Sequence, residues 1–139
     1  MSELGILEYA SDISTAEAPP PLPVGEYPAT IEKVEQKTST TSGNDYLSVT
    51  SRISKDDFPA DFDAEGVYDE GIVLTYNRLV IEDNARARYN MRKWCEAIGA
   101  KMGKQIDPNE WIGLTFKAGV KHSSYEGQTR AEIAKVSAA

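Results

Sequence analysis

A single cysteine, Cys95, and a single histidine, His122, are all that this chain of 139 residues offers of two side chains much used in metal binding and catalysis. One cysteine cannot close an intramolecular disulfide, and it suits a reducing compartment. No Cys/His zinc spacing, no Ser/His/Asp set with a family spacing and no phosphate-binding glycine loop can be assembled from the sequence. Cys95 falls on the apolar stripe of a predicted helix and reads as a small buried hydrophobe. His122 begins a predicted turn and reads as solvated. The inventory argues against an enzyme and calls for no cofactor and no metal.

Long apolar runs are missing as well. No stretch approaches the roughly 20 residues that crossing a bilayer requires. The opening "MSELGILEYASDISTAEAPPPLP" has acidic residues and no basic cluster, so it does not read as a signal peptide. A cytoplasmic protein without a membrane partner is expected. One stretch imitates a metal site: "DFDAEG", from Asp61 to Gly66, resembles the start of a calcium loop. The twelfth position of such a loop should be a bidentate glutamate, and here it is Ile72. A solvated acidic loop accounts for it better.

Positive charge is scarce overall, with a net charge of −7, but the acids are unevenly placed. Residues 1–20 carry Glu3, Glu8, Asp12 and Glu17 with no base. Residues 56–70 carry seven more acids, again with no base. Without those eleven, 15 basic residues face 11 acidic ones. Exposed charges more than about 10 Å apart are largely screened at physiological salt, so local patches outweigh the total. An anionic partner is therefore not excluded.

What is present reads as one domain. Residues 1–22, rich in Ala, Ser and Glu and ending in prolines, read as a flexible acidic arm, the alternative being an N-terminal strand docked on the sheet. The domain spans 23–139 and contains an acidic insertion at 54–70. A first strand lies in "GEYPATIEKVEQK", where Val34 arrives one residue late and suggests a bulge. Pro28 should sit where no ladder needs its amide. The loop "TSTTSGND" should turn at Gly43-Asn44. In "YLSVTSRI", Leu47, Val49 and Ile53 share a face with Ser51, and Tyr46, Ser48, Thr50 and Arg52 share the other. A third strand, "GIVLTYNRLVI", leaves the facing of Tyr76 and Arg78 open. A helix follows, with Ala87, Met91, Trp94, Cys95 and Ile98 at helical spacing, Asp83 or Asn84 as cap and Gly99 as stop. Strands in "WIGLTFKAGV" and "TRAEIAKV" flank a turn, "KHSSYEGQ". Three strands, a helix and two strands is the order of an all-β, five-stranded OB-fold Greek-key barrel with one helix between strands 3 and 4. A helix packed on an open antiparallel sheet would give the same order.

Single-strand binders combine a positive groove with rings on which bases stack. The first loop and second strand offer Lys37, Ser42, Asn44, Tyr46 and Arg52. The third strand offers Tyr76 and Arg78, and the last turn Lys121 and Tyr125, with Arg130 beyond. Each has a plainer use: Tyr76 as core, the arginines in cross-strand ion pairs, the loop hydroxyls as turn caps.

The segments "LPVGEYPATIEKVEQKTSTTSGNDYLSVTSRI", "RKWCEAIG" and "DPNEWIGLTFKAGV" together resemble small single-stranded DNA-binding proteins of tailed bacteriophages. The shared pattern is a G-x-Y strand opening, a K-[ST]-x-x-[ST]-G-N loop, a tryptophan helix ending in Gly and a W-[IL]-G-x-x-F strand, over roughly residues 22–136. The resemblance implies an OB fold, single-stranded DNA as partner, commonly a homodimer, and action with phage replication or recombination proteins in the host cytoplasm. It carries directly onto Lys37, Ser42, Gly43, Asn44 and Tyr46. Many such binders end in an acidic recruiting tail, whereas this chain stops at "KVSAA", so recruitment by that route is not expected. The rival is a protein–protein module, such as a virion accessory or inhibitor protein, using a sheet edge or the acidic loop.

Overall fold

A computed structural model describes residues 4–62 and 66–139; the side chain of Tyr125 lies outside that description, as does the middle of the calcium-loop mimic at 63–65. Five strands and one α-helix follow in order: β1 (Gly25–Thr38), β2 (Asp45–Ile53), β3 (Ile72–Val80), α1 (Ala85–Ile98), β4 (Thr115–Tyr125) and β5 (Gln128–Ser137). They form one antiparallel sheet in the order β3-β2-β1-β4-β5. The protein is thus β-dominant, with its helix between the third and fourth strands.

β1 is shared between two partners. Its first half, Gly25 to Thr30, pairs with β4, and from Thr30 onward it pairs with β2. Pro28 therefore lies before the β2 ladder begins, where a missing amide costs least. The register shifts between Ile31 and Lys33, which inserts Glu32 as the bulge that the late Val34 foretold. On β2, Leu47, Val49, Ser51 and Ile53 are buried as expected, but so is Ser48 (3% exposed), expected on the opposite face, where the register with β3 shifts between Leu47 and Val49. Opposite them on β3, Ile72 and Leu79 are buried, and Tyr76 stands across from Val49 on the same inward side.

The helix closes over the inner face. Asn84 caps it by accepting from the Ala87 amide at 2.9 Å, and Gly99 ends it at φ +71°. Trp94, Cys95 and Ile98 are buried, and Met91 packs beside them. Trp94 is the hub of the aromatic core, within 5.8 Å of Tyr76, Trp111 and Phe116, centroid to centroid. Burial pushes the Cys95 thiol above its usual pKa, as an inert core cysteine requires.

The sheet is open by its hydrogen bonds: among the described residues, β3 and β5 are edges with no ladder between them. The edges nevertheless run alongside. Residues 72–74 and 128–131 line one cavity of about 560 Å³, and farther along Arg78 reaches the Ala134 carbonyl at 3.5 Å and Glu132 at 4.0 Å.

Several expectations are corrected. Leu22, read as the end of the arm, is 1% exposed and belongs to the core. Residues 18–22 line the cavity between the edges, held by Tyr68 donating to the Pro20 carbonyl (3.2 Å) and by His122 Nε2 against the Leu22 carbonyl (2.7 Å). His122 is thus a strand residue that grips the arm. The turn expected over 121–128 is only Glu126-Gly127, both at positive φ (50° and 78°), the two-residue hairpin geometry that suits twisted strands. The first loop turns through Ser39 to Gly43, whose amide donates to the Ser39 carbonyl at 2.9 Å, rather than at Gly43-Asn44. The strand expected from Trp111 starts at Thr115, because Pro108–Trp111 form a 3-10 turn.

The acidic insertion rejoins the sheet through Gly71, at φ +87°. A Cβ there would stand 2.4 Å from the Ile53 carbonyl oxygen. Gly71→Ala is expected to lower stability by about 1–3 kcal/mol from the backbone conformation alone, read as a drop in the urea midpoint.

Candidate functional site

The candidate residues separate into four groups. Lys37 and Tyr46 are register partners on the outer face of β1 and β2, with Val80 of β3 next in the same row. Leu47 points inward, so Tyr46 points outward, and it is half-buried while Lys37 is exposed. The exposed Ser42 and Asn44 stand on the turn beside them. Much of that turn's chemistry is internal. Ser39 Oγ accepts from the amides of Thr41 and Ser42, Ser42 Oγ accepts from the Asn44 amide, and Thr38 donates to Asp45 at 2.6 Å. These serines shape the loop as turn caps.

Arg52 lies at the other end of β2, six residues and so about 20 Å from Tyr46. It is committed: its guanidinium binds the Glu32 carboxylate and donates to the Glu70 carbonyl at 2.6 Å. The Glu32 hydrogen bond raises its pKa further. Glu32 lies beside Arg52, and Asp56, Asp57 and Asp69 line the same depression. Inside the insertion, Phe62 packs on Phe58 and Tyr68 at 5.4 and 6.1 Å. The described residues of the acidic segment therefore gather around the Arg52 end of β2 rather than the Tyr46 end.

Tyr76 turns into the molecule, edge-on to Trp94 at 5.3 Å, and burial raises its pKa. It serves the core. Arg78 is exposed and clasps β5 as described. Lys121 faces Glu132, and Ser123 faces Arg130, across the β4–β5 hairpin. Since cross-strand partners share a face and alternate residues return to it, Lys121 and Arg130 lie on one side, flanking Glu132, which also meets Arg78. For Tyr125 only the backbone position at the end of β4 is described.

The structure thus brings Lys37, Tyr46, Ser42 and Asn44 together, gathers Arg78, Lys121 and Arg130 around Glu132, and sends Arg52 and Tyr76 elsewhere. The first two groups are linked. From Lys37 the row runs to Tyr46 and to the end of β3, and Arg78, two residues from Val80, carries it to β5 and on to Lys121 of β4. This band touches all five strands, and between β3 and β5, which share no ladder among the described residues, the link is the Arg78 side chain.

A neighbouring surface was passed over in the sequence. Val80 and Ile81 at the end of β3, with α1 and residues 102–106, form a groove of about 930 Å³ with an apolar floor. The signal was present: apolar Met102 and Ile106 in a stretch with no strand or helix period.

Among the described residues no group of acids, His and Cys could hold a metal ion, and no helix is long and apolar enough to cross a membrane. A family model described as "Protein of unknown function (DUF669)" matches residues 10–136. No curated protein matches the chain.

Proposed function

The chain belongs to the DUF669 family, and we propose that this member is a single-stranded DNA-binding protein of the OB type that coats its ligand largely without sequence preference, in phage replication or recombination. The observation that carries the reading is the Lys37–Tyr46 pair: a cation and an aromatic ring side by side on an outer sheet face, next to an exposed polar hairpin turn. A ring offers any base a surface to stack on, and a cation beside it meets the following phosphate. Arg78 and Lys121 supply further cations beyond the pair, and an OB fold binds its ligands over strands 2 and 3 between the 1–2 and 4–5 loops. Strand order, helix position and the parallel approach of β3 to β5 support a partly open OB barrel. The sequence motifs shared with phage single-strand binders support the same reading. Binding, rather than turnover, is the activity.

A fluorescein-labelled oligo-dT titrated at two salt concentrations tests it. The label is needed because Trp94 and Trp111 are 3% and 1% exposed and report poorly on a surface ligand. Affinity is expected to fall with salt, with a log–log slope near −0.7 for each phosphate contacted. No binding at low salt, or binding indifferent to salt, would end the proposal. The protein–protein reading draws on the acidic rim around Arg52. It predicts that deleting 56–70 abolishes partner capture while Tyr46→Ala leaves it intact.

A further inference from the structure

α1 lays Trp94, Cys95 and Ile98 on the core, so its opposite side stands in water. Four exposed cations lie along the helix: Arg86, Arg88, Arg92 and Lys93. Three acids sit in or just before it, and each is already held. Asp83 binds Arg88, Glu96 accepts from Arg92 Nε at 2.8 Å, and Glu82 accepts from Asn84 Nδ2 at 2.7 Å. Among the described residues, no ion pair reaches Arg86 or Lys93.

Those two cations share one stripe. They are seven residues apart, about two turns and about 10 Å along the axis. Tyr89 lies between them, three residues from Arg86 and four from Lys93, the spacings that bring helical side chains together. It is 57% exposed, and among the described side chains from residue 18 onward it is the only aromatic ring that is exposed rather than buried or half-buried. Lys93 Nζ stands 5.9 Å from the ring centroid. The stripe thus repeats the cation-and-ring pairing of Lys37 and Tyr46, on a helix held rigid by its Asn84 cap and its tryptophan. It is also near that pair. Val80, in the Lys37–Tyr46 row, is four residues from the start of α1 and lines one groove with Arg88.

We propose that Arg86, Tyr89 and Lys93 form a second contact surface for single-stranded nucleic acid, taking the stretch of strand that runs on from the Tyr46 end of the sheet. The two unpaired cations meet phosphates, and the ring between them stacks a base. The class of ligand rests on the single-strand reading above, while the residues are independent of those that carry it.

Titration of a fluorescein-labelled oligo-dT of about 30 nucleotides, longer than the roughly 4–16 that one OB fold covers, tests it at two salt concentrations. Arg86→Gln with Lys93→Gln keeps good helix formers and should flatten the log–log salt slope by about 1.4, two contacts at about 0.7 each. Tyr89→Ala should weaken binding about 5- to 150-fold. Lys55→Gln with Lys117→Gln removes the same charge from residues paired with Asp69 and Glu26, and should leave the slope unchanged. Either α1 variant binding like the full chain, or an equal flattening in the Lys55/Lys117 variant, would overturn the inference. Losses at Tyr46 and Lys37 with none on α1 end this inference and keep the sheet reading. Losses on α1 with none at Tyr46 and Lys37 do the reverse, and a full chain that binds no oligo-dT ends both.

Discussion

Leu22→Ala is expected to lower the stability of the protein by about 2–5 kcal/mol, the usual cost of emptying a fully buried leucine site. The residue is 1% exposed, although prolines surround it and no regular element contains it. Its side chain enters the core, and the chain around it is held by Tyr68 on the Pro20 carbonyl, His122 on the Leu22 carbonyl and Tyr27 on the Pro23 carbonyl. Urea unfolding followed by circular dichroism measures the loss as a lower midpoint at unchanged slope. A change under about 0.5 kcal/mol, the size of an ordinary surface substitution, would mean that Leu22 is not part of the folded core.

Tyr46→Ala is expected to weaken oligo-dT binding about 5- to 150-fold, since a base stacked on an aromatic side chain contributes about 1–3 kcal/mol. Arg52→Ala should leave that affinity nearly unchanged, because its guanidinium is already engaged by Glu32 and the Glu70 carbonyl. Lys37→Glu should weaken binding and flatten the salt dependence by the equivalent of one phosphate contact. Titration of the three variants at one low salt concentration separates the residues. Equal losses at Tyr46 and Arg52 would move the binding surface away from the turn end of β2.

The comparison of sequence with structure follows the range over which each residue is determined. The β2 face and the helix with its caps were legible because period and capping are local. The last turn misled: "KHSSYEGQ" is polar throughout, yet only Glu126 and Gly127 leave the ladder. The adjoining Glu-Gly was the available signal. Leu22 was hidden by averaging, since one leucine among prolines does not change a segment's composition. The role of Arg52 depended on which strand lies beside it: Thr30 is its register partner, and Glu32, two residues on, returns to the same face. Whether the edges meet could not be read locally at all, because Arg78 and Ala134 are 56 residues apart in the chain.

The proline run beside the two edge strands has a further effect. Unpaired strand edges invite foreign strands to zip on, and nature blunts them with cover that cannot itself join a ladder. Pro19, Pro20 and Pro21 own no amide hydrogen, and they line the cavity next to the start of β3 and the start of β5. The segment acts as insulation: it occupies the approach to both rims while offering an incoming chain no donor to grasp. The guard against edge-to-edge pairing thus lies in a stretch outside every strand of the sheet it covers.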